Sequence, residues 1–79
     1  MRVWIKLGPR EFRLFSKVIL KGKIKINNRY DYYSALTLSR KVPLLEFDGK
    51  ELVLKGTINL EKLRIRKRKS KRLPYMIRF

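Results

Sequence analysis

Apolar residues occupy every second position over residues 2–7, the alternation of a half-buried β-strand. Trp4 falls on the opposite side of this predicted strand. The apolar positions are Val3, Ile5 and Leu7, and the basic neighbours of Trp4 are Arg2 and Lys6. We therefore predict a short strand with one apolar face and one basic face that carries an aromatic ring.

The segment 9–21 combines helix boundary signals with a helical period. Pro9 is typical of a first helical turn, and Gly22 is typical of a helix end. On a helix, the apolar side chains would share one side and the basic side chains the other. The apolar side would hold Phe12, Leu14, Phe15, Val18 and Ile19, and the basic side Arg10, Arg13, Lys17 and Lys21. Leu20 does not fit this division, and an alternating strand is the second possibility for the segment.

Residues 23–38 show the alternation of two further strands. Lysine and isoleucine alternate over residues 23–26, and the Asn27-Asn28 pair that follows is typical of a tight turn. Residues 30–38 then alternate in a way that favours a second strand. A helix is the weaker alternative for this segment, because Leu38 would fall off its apolar side.

The pair Asp48-Gly49 separates two apolar runs of alternating character. Asp-Gly in this position is a strong signal of a β-hairpin, and its type I′ turn needs positive φ at both central residues. Farther along, the parity of the apolar positions changes between Leu60 and Leu63. An inserted residue near Glu61-Lys62 would explain that change as a β-bulge.

These elements predict a mainly β fold, a small antiparallel sheet or barrel that contains the Asp48-Gly49 hairpin. A flat sheet of this size cannot hide its edges, so it is expected to curl or to be covered. The alternative is an α+β fold with one helix near 9–21. The 79 residues suffice for one domain. We place this domain at residues 1–65 and expect 66–79 to be a basic extension whose apolar end packs on the sheet or on a protein partner.

The net charge of +16 is concentrated at the two ends of the chain. Residues 1–29 hold nine basic side chains and one acidic side chain, and so do residues 61–79, which gives +8 at each end. Residues 30–60 hold four of each kind and are neutral. The densest part is 66–72, with six cations in seven residues. Such a run repels itself until a polyanion neutralises it, and +16 exceeds the charge of about 2–8 that solubility needs.

This charge distribution predicts a nucleic-acid-binding protein that contacts phosphates through two basic segments, with little sequence specificity. RNA within a ribonucleoprotein is the preferred partner. The predicted contacts of the first segment are Arg10, Arg13, Lys17, Lys21, Lys23 and Lys25. Those of the second segment are Arg64, Arg66, Lys67, Arg68, Lys69, Lys71 and Arg72. The candidates for stacking on bases are Trp4, Tyr30, Tyr32 and Tyr75.

Three other functions are compatible with the same residues. A chromosomal, viral or transcription-regulating DNA-binding protein needs a similar charge. A ribonuclease toxin without histidine is chemically feasible, because Lys and Arg can stabilise a pentavalent phosphate while Tyr or Glu moves protons. Binding to an anionic membrane surface needs a basic amphipathic helix, which 9–21 provides in part.

The composition argues against an enzyme and against a cofactor. The chain has no cysteine and no histidine, and its four glycines are isolated from one another. It therefore has no thiolate, imidazole or glycine-rich phosphate loop, and we predict no catalytic residue and no metal site. Glu46 and Asp48 share a strand face and could bind a divalent cation, but a solvated Asp-Gly turn is the preferred interpretation of these residues.

Two further expectations concern the surroundings of the protein. No apolar run approaches the roughly 20 residues of a membrane-spanning helix, so we expect an intracellular, cytoplasmic protein. The lack of cysteine, histidine and glutamine, together with many lysines and arginines, resembles a thermophilic composition.

Overall fold

The computed structural model describes residues 3–79 and contains helices and strands in an α+β arrangement. In chain order the elements are β1 (Ile5–Leu7), α1 (Pro9–Lys21), β2 (Lys23–Lys25), α2 (Arg29–Lys41), β3 (Leu45–Phe47), β4 (Glu51–Leu54), β5 (Arg64–Lys67) and β6 (Tyr75–Arg78). The expectation of a mainly β fold is therefore wrong, and the α+β alternative with a helix near 9–21 is confirmed. Arg2, which we expected in the first strand, lies outside the described residues.

The strands form two antiparallel three-stranded sheets. Sheet A has the order β1-β6-β5, and sheet B has the order β2-β4-β3. In sheet A the central strand β6 joins the two ends of the chain, because Ile77 pairs with Ile5 on one side and with Ile65 on the other. In sheet B the β3–β4 hairpin pairs with β2, where Ile24 faces Leu52.

Helix α1 has the limits that the sequence predicts. Pro9 lies in its first turn, and Gly22 ends it with a φ of 81°, which a glycine adopts without steric cost. The Gly22 amide donates to the Val18 carbonyl oxygen at 2.8 Å. Phe15 and Val18 are buried, whereas Leu20, which did not fit the helical pattern, is 83% exposed. Neither α1 nor any other helix within residues 3–79 is long and apolar enough to cross a membrane.

Helix α2 occupies the segment for which we expected a strand, so that expectation is wrong. Its buried side chains have helical spacing, at Asp31, Ser34, Ala35 and Leu38. Asn28 caps the helix, because its Oδ1 accepts from the Asp31 amide at 2.8 Å and its side-chain amide donates to the Asp31 carboxylate at 3.2 Å. The pair resembles a capping box. Because two of the four buried residues are polar, the apolar residues alone do not show this helical spacing, and their alternation favoured a strand.

The core lies where the helices meet the two sheets. Helix α1 packs against α2 and against strands of both sheets. Fully buried side chains come from β1, α2, β4 and β6, at Leu7, Leu38, Leu52 and Ile77. Strand β5 contributes no buried residue, since all four of its residues are exposed and it pairs with β6. Strand β5 thus forms an exposed edge of sheet A.

The predicted β3–β4 hairpin is confirmed, but its turn differs from the expected one. Gly49 has a φ of 96°, whereas Asp48 has no positive φ, so the type I′ turn does not form. Instead the Asp48 carboxylate accepts the amides of Glu51 and Lys50, each at 2.8 Å. These hydrogen bonds lower the pKa of Asp48 below its ordinary value of 3.8, and the bond from the Glu51 amide has the largest effect. The ionised Asp48 carboxylate therefore stabilises the folded state above that ordinary pKa. This contribution is lost as the pH falls through the lowered pKa.

Replacing Gly49 by valine should destabilise the fold by about 1–3 kcal/mol, because a β-branched residue is strained at positive φ. The free energy of unfolding in urea would measure this effect. Thr57→Val, in an exposed loop, is the control and should leave the unfolding midpoint unchanged. A Gly49→Val protein as stable as the control would contradict the turn geometry.

The expected β-bulge at Glu61-Lys62 is wrong, because residues 60–62 form a turn. Asn59 organises it: its Oδ1 accepts from the Glu61 amide at 3.0 Å, and its carbonyl oxygen accepts from the Lys62 and Leu63 amides at 3.0 and 3.1 Å. The change of apolar parity along the chain marks this turn.

The expected domain boundary at residue 65 falls inside β5, and the residues after it complete sheet A. Ile77 is fully buried, and Tyr75 stacks on Phe12 with the ring centroids 4.2 Å apart. Phe79 packs near Phe15, with the centroids 6.2 Å apart. The apolar end of the chain therefore packs on the core of the same molecule.

Candidate nucleic-acid interface

One side of sheet A faces away from the core. Residues directly opposite each other in an antiparallel sheet share a side, so Lys6, Met76 and Arg66 lie together, as do Arg64 and Arg78. Trp4 joins them, because the guanidinium carbons of Arg66 and Arg78 lie 4.7 and 5.0 Å from its ring centroid. We call this surface the open face, and its residues are Trp4, Lys6, Arg64, Arg66, Met76 and Arg78.

The basic run continues from β5 into a loop that is closed by hydrogen bonds. The Arg68 amide donates to the Pro74 carbonyl oxygen at 2.6 Å, and the Leu73 amide donates to Ser70 Oγ at 3.2 Å. We call residues 68–74 the basic loop. Its exposed cations are Arg68, Lys69, Lys71 and Arg72. Together with the exposed Arg64, Arg66 and Lys67 of β5, they place the whole predicted second segment at the surface.

The lysines of the first segment line a groove of about 300 Å³ between α1, β2 and the start of α2. We call it the lysine groove, and its cations are Lys17, Lys21, Lys23 and Lys25. The one acidic side chain that lines it, Asp31, is bound by Arg13. Lys25 also faces Glu51 across β2 and β4. The groove keeps an excess of positive charge, which makes it a second surface suited to a polyanion.

Two predicted contacts of the first segment instead connect the helices. Arg13 of α1 donates to the carboxylate of Asp31, which lies largely buried on α2. Arg10 of α1 lies over the ring of Tyr30 on α2, with its guanidinium carbon 4.7 Å from the ring centroid. Neither arginine lines the lysine groove. The structure therefore places Arg10 and Arg13 at the contact between the helices.

Arg13→Gln should lower the free energy of unfolding by about 1–2 kcal/mol, because it leaves a largely buried carboxylate without its charged partner. Urea denaturation would measure this loss. Lys17→Gln is the matched control, since Lys17 lines the groove and forms no salt bridge within residues 3–79. The control should keep its stability and bind nucleic acid more weakly. If Arg13→Gln were fully stable, the connecting role of Arg13 would be disproved.

The two basic segments approach each other at a cavity of about 510 Å³ beside the start of α1. Arg10 of the first segment and Arg72 of the second segment both line it, together with Lys41 and Glu11. The basic loop passes close to Gly8, where a Cβ would lie 3.4 Å from the Arg72 carbonyl oxygen, an ordinary contact, and 3.1 Å from the Glu11 carboxylate, a tight one. Residues more than sixty positions apart thus meet in one cationic pocket around a single acid.

The cations of the open face, the basic loop and the lysine groove form no salt bridge within residues 3–79. The salt bridges there are Arg13–Asp31 and Lys55–Glu46, neither of which involves these cations. No protein-family model, curated protein or solved structure matches this chain. The interpretation of the surfaces therefore depends on their own chemistry, which is that of exposed cations available to a polyanion.

The carboxylates of Glu46 and Asp48, whose spacing allowed a cation site, each have a partner within the protein. Glu46 pairs with Lys55 at 2.8 Å, and Asp48 accepts two backbone amides of the turn. Over residues 3–79, no group of three or more acidic side chains is arranged to hold a metal ion. Both residues are exposed, as in a solvated turn.

The four aromatic candidates for base stacking lie in different surroundings. Tyr75 lies on the inner side of sheet A, where Phe12 covers one side of its ring. Tyr32 packs edge-on against an aromatic ring of β3, with the centroids 5.2 Å apart. Tyr30 is 67% exposed on α2. Of the four, Trp4 alone lies among the cations of the open face.

The sequence prediction omits Arg78, although this residue lies on the open face and contacts Trp4. Its signal was the alternation at the end of the chain, where Arg78 follows the buried Ile77 and must point to the other side of a strand. That signal becomes useful only when β6 is known to lie between β1 and β5. Met76 of the open face was omitted for the same reason, whereas Lys6 was placed on the face of Trp4 but not proposed as a contact.

Proposed function

We propose that this protein binds nucleic acid mainly through its phosphates, with little sequence specificity. The observation that supports the proposal is the grouping of largely exposed cations into the open face, the basic loop and the lysine groove, none of which forms a salt bridge within the described residues. By contrast, Arg13, one of the two arginines that connect the helices, does form a salt bridge, with Asp31.

The energetics of a polyanion partner follow from the same grouping. Each phosphate neutralised by a lysine or arginine releases condensed counterions, which favours binding without reading the sequence. The free protein carries a net charge of +16 and repels itself, and a bound polyanion relieves that repulsion. Alternate residues of β5 point to opposite sides, so Arg66 and Lys67 of the basic run present charge in two directions.

RNA in a ribonucleoprotein is the partner that we favour, because the open face is a β-sheet surface with an aromatic ring, and RNA is commonly bound on such surfaces. The second candidate is a chromosomal, viral or transcription-regulating DNA-binding protein. One observation favours it: all four residues of β5 are exposed, β5 pairs with β6, and a two-stranded β-ribbon can enter the major groove of duplex DNA.

A salt titration by fluorescence anisotropy tests the proposal. The labelled ligands are single-stranded RNA, duplex RNA, single-stranded DNA and duplex DNA of equal length. We expect binding that weakens along a steep negative slope of log affinity against log salt, with RNA bound at least as tightly as DNA. Weak binding to all four ligands near physiological salt would contradict a nucleic-acid partner.

The same RNA is then examined on a denaturing gel after incubation with the protein, with and without a chelator. We expect the RNA to stay intact, as a binding protein requires. Cleavage that persists in chelator and is lost when the exposed cations are replaced would instead establish the ribonuclease alternative.

A further inference from the structure

The ring of Trp4 lies in an environment that packing of the core does not explain. It is half-buried on the side of sheet A that faces away from the core, and its neighbours there are the guanidinium groups of Arg66 and Arg78. On the inner side of the same sheet, Tyr75 stacks against Phe12 as a structural aromatic does. A tryptophan held among arginines at the surface matches the chemistry of a ligand that carries both a flat apolar ring and negative charge.

A nucleotide of a single strand is such a ligand. Its unpaired base can stack on an aromatic side chain, and stacking tolerates any base because every base has a π-face. Its phosphates can be neutralised by arginines, which also stack on flat rings. In a duplex the bases are already stacked on one another, so they cannot reach Trp4 without unpairing.

We infer that the open face binds single-stranded nucleic acid, with one base stacked on Trp4 and the adjoining phosphates neutralised by Arg66 and Arg78. This inference rests on the proposed function and adds to it a preference for unpaired strands. Trp4 is the only aromatic side chain placed on the open face, so the site takes one stacked base. The lysine groove and the basic loop contact phosphates and do not distinguish single strands from duplexes.

The fluorescence of Trp4 tests this directly, because it is the only tryptophan of the chain and its emission reports this site alone. The ligands are a single-stranded oligonucleotide, the duplex of the same length, and inorganic polyphosphate, which has the charge without the bases. We expect the single strand to quench the emission strongly, and the duplex and polyphosphate to bind with little quenching. Equal quenching by polyphosphate would overturn the inference, and so would single-strand binding seen by anisotropy without quenching.

Substitution of the ring provides the second test. Trp4→Leu should lower affinity for the single strand about 5- to 150-fold, the effect of losing one stacked base, and leave polyphosphate affinity unchanged. Trp4→Phe should retain part of the preference, and it keeps the test decisive if the leucine variant folds poorly. The matched control is Tyr33→Leu, which removes an exposed aromatic of α2 and should change neither affinity.

The outcomes separate this inference from the proposed function. If no nucleic acid binds, the proposed function fails, and the inference fails with it. If nucleic acid binds with a steep salt dependence but Trp4→Leu keeps its full preference for single strands, only the inference fails. A preference for single strands that is lost with the ring and kept in the Tyr33→Leu control establishes both.

Discussion

Replacing the cations of the basic loop by glutamine should weaken nucleic-acid binding on the order of 10²–10³-fold at about 0.1 M salt. The substitutions are Arg68→Gln, Lys69→Gln, Lys71→Gln and Arg72→Gln. Each lost phosphate contact also removes counterion release, so the slope of log affinity against log salt should become shallower by about 3–4. Fluorescence anisotropy over a series of salt concentrations measures both quantities.

The fold should survive these four substitutions, because the loop is closed by backbone donors that glutamine leaves in place. The Arg68 amide still donates to the Pro74 carbonyl oxygen, and the Leu73 amide still donates to Ser70 Oγ. An unchanged unfolding midpoint would confirm that the loss of affinity concerns binding.

A charge-matched control separates local contact from overall charge. Four exposed cations outside the open face, the basic loop and the lysine groove are replaced by glutamine: Arg29, Arg40, Lys50 and Lys62. Both variants carry four fewer positive charges than the wild-type +16. The control should lose much less affinity, because screening by salt weakens charges that do not touch the ligand. Equal losses in the two variants would rule out a localised interface at the loop.

Ile77→Ala should destabilise the fold by about 2–5 kcal/mol, because Ile77 is fully buried at the middle of sheet A and its truncation leaves a cavity. Domains of this size have little stability in reserve, so such a loss brings the protein close to unfolding at ambient temperature. Urea denaturation followed by circular dichroism measures it. Ile77 lies after residue 65, in the segment that we expected to extend from a finished domain.

The neighbouring residue provides the control. Met76 lies on the same strand but on the open face, where its side chain is half-buried. Met76→Ala should therefore cost much less stability than Ile77→Ala. If the two substitutions were equally mild, β6 would not be part of the core, and residues 66–79 would be the extension that we expected from the sequence.

Local patterns predicted the elements whose conformation depends on near neighbours. Helix α1 begins at Pro9 and ends at Lys21, before Gly22, as predicted, because its boundary residues and its apolar side are all within one segment. The β3–β4 hairpin forms around Asp48-Gly49 for the same reason. The predicted turn type was nevertheless wrong. The Asp48 carboxylate accepts two backbone amides, and only Gly49 of the two central residues has a positive φ.

Helix α2 shows where a local pattern fails. Two of the residues that face the core, Asp31 and Ser34, are polar, so the spacing of the apolar residues does not reveal the helix. Asp31 can be buried because Arg13, eighteen positions earlier, provides its counter-charge. The capping pair of Asn28 and Asp31 is a local signal for this helix that the prediction did not use, because Asn27-Asn28 was interpreted as a tight turn.

For the candidate site as well, one part could be predicted from the sequence and another part could not. The segregation of charge into two basic ends is a property of the sequence alone, and from it follow the proposed class of partner and most of the cations involved. The sequence also determined α1 and the β3–β4 hairpin, because short-range contacts suffice for them. Only the tertiary structure decided that β6 lies between β1 and β5, which brings Trp4 to Arg66 and Arg78. It also decided that Arg10 and Arg13 connect the helices. These outcomes depend on pairing between distant parts of the chain, whose partners no local pattern specifies.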